Sequence, residues 1–191
     1  MQIVRLTLKY LKNQQSPPIL YLHILIIFLV LSQLISSNFI EFNKSGEISN
    51  NIISVYGTWV HIITGVFLAS ITLIFIAFLL KAHGIKNYFP YLFGNYSQLL
   101  SDLHLLKHRK LPEPKPDGLA SIVQGLGLGA MLLVLFSGIA WFVFWIAGYQ
   151  WANVFKEAHK LLTGLIIAYV IGHGCIGILH ILVTIKIQRN R

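Results

Sequence analysis

Four long apolar stretches, at about residues 18–37, 54–80, 119–147 and 159–187, constrain this chain more than any other feature. Each is long enough to cross about 30 Å of hydrocarbon as a helix. In lipid, a helix closes its backbone hydrogen bonds within itself, and the alternating pattern of a membrane barrel is absent. Composition agrees: of 191 residues 55% are hydrophobic and 11% charged, where a soluble domain carries about 25% charged residues, and the mean hydropathy is +0.70. These values exclude an ordinary soluble domain, a disordered chain and a secreted disulfide scaffold. The first stretch is too long for a signal peptide's apolar region, and no small-residue cleavage pattern follows it. The expected fold is an all-α membrane protein, a four-helix transmembrane bundle forming one domain over residues 1–191.

The formal charge of +9 would suggest nucleic acid in a soluble protein. Its distribution points elsewhere. Arg5, Lys9 and Lys12 precede the first stretch. Lys81, Lys86, Lys107, Arg109, Lys110 and Lys115 lie in the connection 81–117, and Lys186, Arg189 and Arg191 close the chain. Lys44, Lys156 and Lys160 are shared by the other two connections. The positive-inside rule then places both termini and the 81–117 loop in the cytoplasm. No nucleic-acid partner is needed to explain the basic excess. The loop is too short for a catalytic domain but long enough to dock a partner.

Ionisable side chains inside a membrane are costly and usually functional. His23 lies in the first stretch, His61 in the second, and His159, His173 and His180 in the fourth; the third has none. With that orientation His61 and His159 sit near the outer leaflet, His23 and His173 towards the cytoplasm. His159 and His173 are 14 residues apart, which on a helix is about 21 Å of rise and a return to within about 40° of the same face. Two imidazoles facing each other across a bundle are what six-coordinate haem iron takes as axial ligands. The four histidines therefore read as two stacked pairs, His61 with His159 and His23 with His173, holding haems in the bundle core. No Cys-x-x-Cys-His motif occurs, so both haems would be non-covalent and b-type.

Glycines accompany these positions. Gly57 and Gly65 flank His61 by four residues, Gly164 and Gly177 follow His159 and His173, and Gly125, Gly127 and Gly129 alternate in the third stretch. They would give a macrocycle room, or they simply let helices approach. The single cysteine, Cys175, reads as a small buried apolar residue of the fourth span.

The pattern of one histidine in the first span, one in the second, none in the third and a 14-residue pair in the fourth resembles the bacterial cytochrome b561 family. That family includes the b-type subunits of nickel–iron hydrogenases and formate dehydrogenases. The matching segments are Tyr21-Leu22-His23, Trp59 to Gly65 around His61, Lys115 to Gly125, and Glu157-Ala158-His159 through Gly172-His173. Many relatives carry Trp directly after the first histidine, whereas Ile24 stands here. The resemblance implies the same ligand pairs and two b-type haems. It also implies electron transfer across the inner (plasma) membrane, usually to or from quinone.

Other candidates are open. His180 would hold a haem propionate, bind quinone, replace His173 as ligand, or serve as an interfacial polar residue. Lys156 and Lys160 would pair with a propionate or snorkel. Trp59, Trp141, Trp145, Tyr149 and Trp151 fit an aromatic belt. His104 and His108 share a face that reads as solvated. Thr64, Ser70, Thr163 and Ser137 are available to orient a ligand's second nitrogen. Three functions compete. The first is an electron carrier or subunit of a respiratory complex, partnered by a dehydrogenase or a c-type cytochrome. The second is a stand-alone oxidoreductase passing electrons from superoxide to quinone. The third is a haem-free transporter using membrane histidines for protons.

Overall fold

A computed structural model of the chain describes residues 15–43 and 47–189. Arg5, Lys9, Lys12, Lys44 and Arg191, and the side chain of Arg189, on which the orientation partly rests, lie outside the described residues. The described residues form five α-helices: α1 Pro17–Ser36, α2 Ile52–Tyr88, α3 Ser97–Lys107, α4 Leu119–Ile146 and α5 Ala152–Arg189. A short 3₁₀ turn over Ser37–Phe39 extends α1, and another over Pro90–Phe93 follows α2. Among the described residues, four segments are long and apolar enough to cross a membrane: Pro17–Phe39, Ile52–Tyr88, Leu119–Ile146 and Ala152–Val183. Large apolar side chains stand exposed along them, among them Phe28, Ile63, Phe136 and Leu161. On membrane-embedded helices such side chains face lipid.

Two boundaries differ from the expected ones. α5 begins at Ala152 rather than near residue 159, so His159 stands two turns inside the helix. Residues 152–158 include Asn153, Lys156 and Glu157, of which Lys and Glu are good helix formers and all of which lower hydropathy. α2 runs on past residue 80 to Tyr88, broken at Gly84, whose φ of 73° is left-handed and non-helical. Such a backbone suits glycine, which has no Cβ to clash. The 81–117 connection is thus not a plain loop. It holds the end of α2, a 3₁₀ turn and α3.

The described residues gather into two compact units, and α2, α4 and α5 each contribute to both. One unit holds 15–43, 47–75 and 135–159. Pro17 and Pro18 open α1, where a missing N–H costs nothing and the fixed φ suits the first turn. α1 and the first part of α2 run antiparallel: Ser36 meets His61, Gln33 meets Thr64, and His23 meets Phe75, in reverse order along the two helices. The connection between them is tied by a bridge between Phe42 and Ile48 and by Ser54, whose hydroxyl accepts from the Glu41 N–H and donates to its carbonyl. Gly57 permits the helix approach, since a Cβ there would lie 2.6 Å from Phe39 Cβ. Trp141 and Trp145 stack at 5.7 Å, Phe42 sets its edge against both, and Lys156 Nζ lies 5.2 Å from the Phe42 ring centre.

The other unit holds 76–134 and 160–189. Asp102 of α3 is buried, and its carboxylate accepts from the Leu119 N–H at 2.7 Å and from Gln98 Nε2 at 2.8 Å. The first amides of a helix have no partner within it, and a carboxylate at that end satisfies one while complementing the helix dipole. Asp102 therefore fastens α3 to the start of α4. Gly125 lies against the Tyr88 backbone, and Gly127 against the Tyr169 ring.

Candidate cofactor site

His61 projects from α2 and His159 from α5 within one unit, with ring centres 6.2 Å apart and ring planes at 87°. Both rings are held at Nδ1. Ser36 Oγ of α1 is 3.0 Å from His61 Nδ1, and Ser137 Oγ of α4 is 3.3 Å from His159 Nδ1. Both serines are buried. On each ring the nitrogen that the serine does not engage is Nε2. Two imidazoles sharing one iron through Nε2 would have centres about 6 Å apart, given metal–nitrogen bonds of about 2 Å and rings whose nitrogens stand about 1 Å from centre. The observed separation fits such a pair.

The local sequence explains why the rings sit here. Gln33, one turn before Ser36 on α1, donates from Nε2 to the His61 carbonyl at 3.2 Å and to Thr64 Oγ1 at 2.5 Å. Gly65 admits it: a Cβ there would lie 3.3 Å from Gln33 Oε1. On α4, Gly138 follows Ser137 and admits the His159 ring, since a Cβ would come 2.9 Å from its Cε1. An apolar groove of about 880 Å³ is lined by residues of α1 and early α2, Ser36 and Gly57 among them, and by neither histidine.

His23 lies in the same unit, half-buried, 5.8 Å from the Phe75 ring. It is 13 residues before Ser36 on α1, and Phe75 is 14 residues after His61 on α2. Both counts correspond to about 20 Å along a helix, so His23 and His61 stand at separate levels. His173 belongs to the other unit, where it stacks on Tyr169 at 5.0 Å with ring planes 15° apart. Tyr169 in turn fits against Gly127. His180, one heptad beyond, is half-buried.

Several expected details fall out differently. Of the glycines proposed to give a macrocycle room, Gly57, Gly65, Gly125 and Gly127 are filled by protein: Phe39, Gln33, Tyr88 and Tyr169. Close helix approach, the other reading left open, explains these four. A Cβ at Gly129, Gly164 or Gly177 would meet nothing within 4 Å. Thr64 and Ser70 turn their hydroxyls back to the carbonyls of Val60 and Val66 on their own helix. Ser137 takes the orienting position at His159, while Ser36 and Gln33 emerged only with the fold. Their signal was present as two polar residues three apart in an apolar helix, hence on one face. Lys156 meets Phe42, and Lys160 is exposed. Cys175 is exposed rather than buried, because its stretch of α5 has few protein neighbours. His104 and His108 are exposed, their ring centres 4.4 Å apart, with His108 Nδ1 2.9 Å from the His104 carbonyl. Among the described residues no group of three or more His, Cys, Asp or Glu side chains gathers.

A family described as prokaryotic cytochrome b561 matches residues 14–188. No curated protein and no solved structure matches the chain.

Proposed function

The chain belongs to the prokaryotic cytochrome b561 family, and from that premise we propose that His61 and His159 are the axial ligands of one b-type haem, and His23 and His173 those of a second. As a member of that family the protein is a multi-pass membrane b-type cytochrome that works in electron transfer. The observation that carries the ligand assignment is the His61–His159 pair, 6.2 Å between ring centres with each Nδ1 against a buried serine. A protein using these histidines for proton relay would not need both rings fixed at the same nitrogen by buried serines. Iron bound there supplies one-electron exchange between its ferric and ferrous states.

The chain's own residues fix the site. Ser36 and Ser137 hold the rings, Gln33 holds the backbone that carries His61, and Gly138 leaves space for His159. The spacing of His23 and His61, matched by the 14 residues between His159 and His173 on α5, supports two centres about 20 Å apart along the helix axes. The Lys/Arg distribution supports a plasma-membrane protein with both termini cytoplasmic and the His61–His159 pair in the outer leaflet. Electrons would then pass between an outer-side redox partner, such as a dehydrogenase or a c-type cytochrome, and quinone.

The test is haem counting in detergent-purified protein. Wild type should give two haems per chain by pyridine haemochrome, and His61→Ala and His159→Ala should each give one, with the remaining Soret band intact. A colourless wild type, or a His61→Ala variant that keeps both haems, would overturn the assignment.

A further inference from the structure

We propose that Ser36 and Ser137 are positioning residues that set the reduction potential of the centre held by His61 and His159. The inference rests on the ligand assignment above and goes beyond it, because neither serine touches the metal.

The geometry is paired. Ser36 Oγ lies 3.0 Å from His61 Nδ1 and Ser137 Oγ 3.3 Å from His159 Nδ1. Both serines are buried, so water does not compete for these contacts. They come from the two helices, α1 and α4, that contribute no ligand to this pair. Ser36 also donates to the carbonyl of Gln33, 3.1 Å away, which turns its oxygen lone pairs towards the imidazole. A neutral imidazole that ligates through Nε2 carries its proton on Nδ1, so in the loaded protein each Nδ1–H donates to a serine oxygen. Donation from Nδ1–H pushes electron density to Nε2 and makes it the stronger ligand. A stronger donor favours the ferric state and holds the potential down. Each acceptor hydroxyl is weaker than the carboxylate often found behind a metal-bound histidine, and at His61 the Gln33 carbonyl stands beside it. The pair therefore tunes this centre moderately.

The experiment is a redox titration of detergent-solubilised holoprotein, with low-spin ferric EPR as a second readout. Ser36→Ala and Ser137→Ala should each keep two haems and raise the reduced-to-oxidised ratio of one centre at fixed ambient potential. The increase should reach about tenfold, which for a one-electron couple is about 59 mV. The EPR signal of that centre should shift as its imidazole loses its anchor, while the other centre stays put. Ser36→Thr and Ser137→Thr, which keep the hydroxyl, should restore both values. Unchanged potential and EPR in both alanine variants, with two haems retained, would overturn the proposal, as would threonine variants that behave like alanine. Either failure differs from that of the ligand assignment, which would show as a His61→Ala variant that keeps both haems.

Discussion

Gly138→Ala tests how tightly α4 constrains the His159 ring. The added Cβ would stand 2.9 Å from His159 Cε1 and 3.0 Å from Nδ1. Ordinary carbon contacts begin near about 3.5 Å, so the ring must retreat by roughly half an ångström or α4 must move away. Ligand geometry tolerates displacement of only about 0.5 Å, and the Ser137 contact, already 3.3 Å, would stretch out of range. Overpacking of this kind costs about 1–3 kcal/mol, equivalent to roughly a 5- to 150-fold rise in the haem dissociation constant at this centre. The assay is transfer of haem from the purified variant to excess apomyoglobin, followed in the Soret region and compared with wild type. Gly129→Ala is the control on the same helix, because a Cβ there meets nothing within 4 Å. Wild-type retention by Gly138→Ala, or equal loss in Gly129→Ala, would refute the reasoning.

Other substitutions probe separate elements. Asp102→Ala leaves the first amide of α4 and the Gln98 side chain without their acceptor; a cost of about 1–3 kcal/mol should lower the Tm in detergent by roughly 2–10 °C without changing haem content. Tyr169→Leu removes the ring stacked on His173, while Tyr169→Phe keeps it. An aromatic pair is worth about 0.5–1.5 kcal/mol, so the leucine variant alone should release its second haem roughly two- to tenfold more readily in the same transfer assay. His180→Ala should retain two haems, since its helix already supplies His159 and His173; a lost haem would move the ligand assignment from His173 to His180.

Hydropathy located the four spans because lipid demands long apolar segments, and it missed the start of α5 for the same reason. Asn153, Lys156 and Glu157 are helical without being apolar. The proximity of His61 and His159 was legible from depth alone, since each lies near the same end of its span. The neighbours of those rings were not. Ser36 and Ser137 reach the imidazoles from other helices, so their role depends on how each helix is rotated about its axis, which no single helix's sequence states. Gly138 shows the same limit. It is one of six glycines in or beside the third span, and only packing separates it, set against an imidazole, from Gly129, set against nothing. Asp102 was not legible because one acidic residue among three in a basic connection reads as solvated until the helix end it caps is known.

α4 has no histidine, and by composition any apolar segment of its length would serve in its place. Insertion into a bilayer reads overall greasiness, and a leucine-for-residue replacement would satisfy it. Among what such a replacement would erase are two adjacent small side chains at the His159 ring, Ser137 and Gly138, one giving an oxygen and the other an absence of bulk. The instructions for entering the membrane and those for aligning a prosthetic group are thus written in different letters of the same helix, and the second set can drift or be redesigned without disturbing the first.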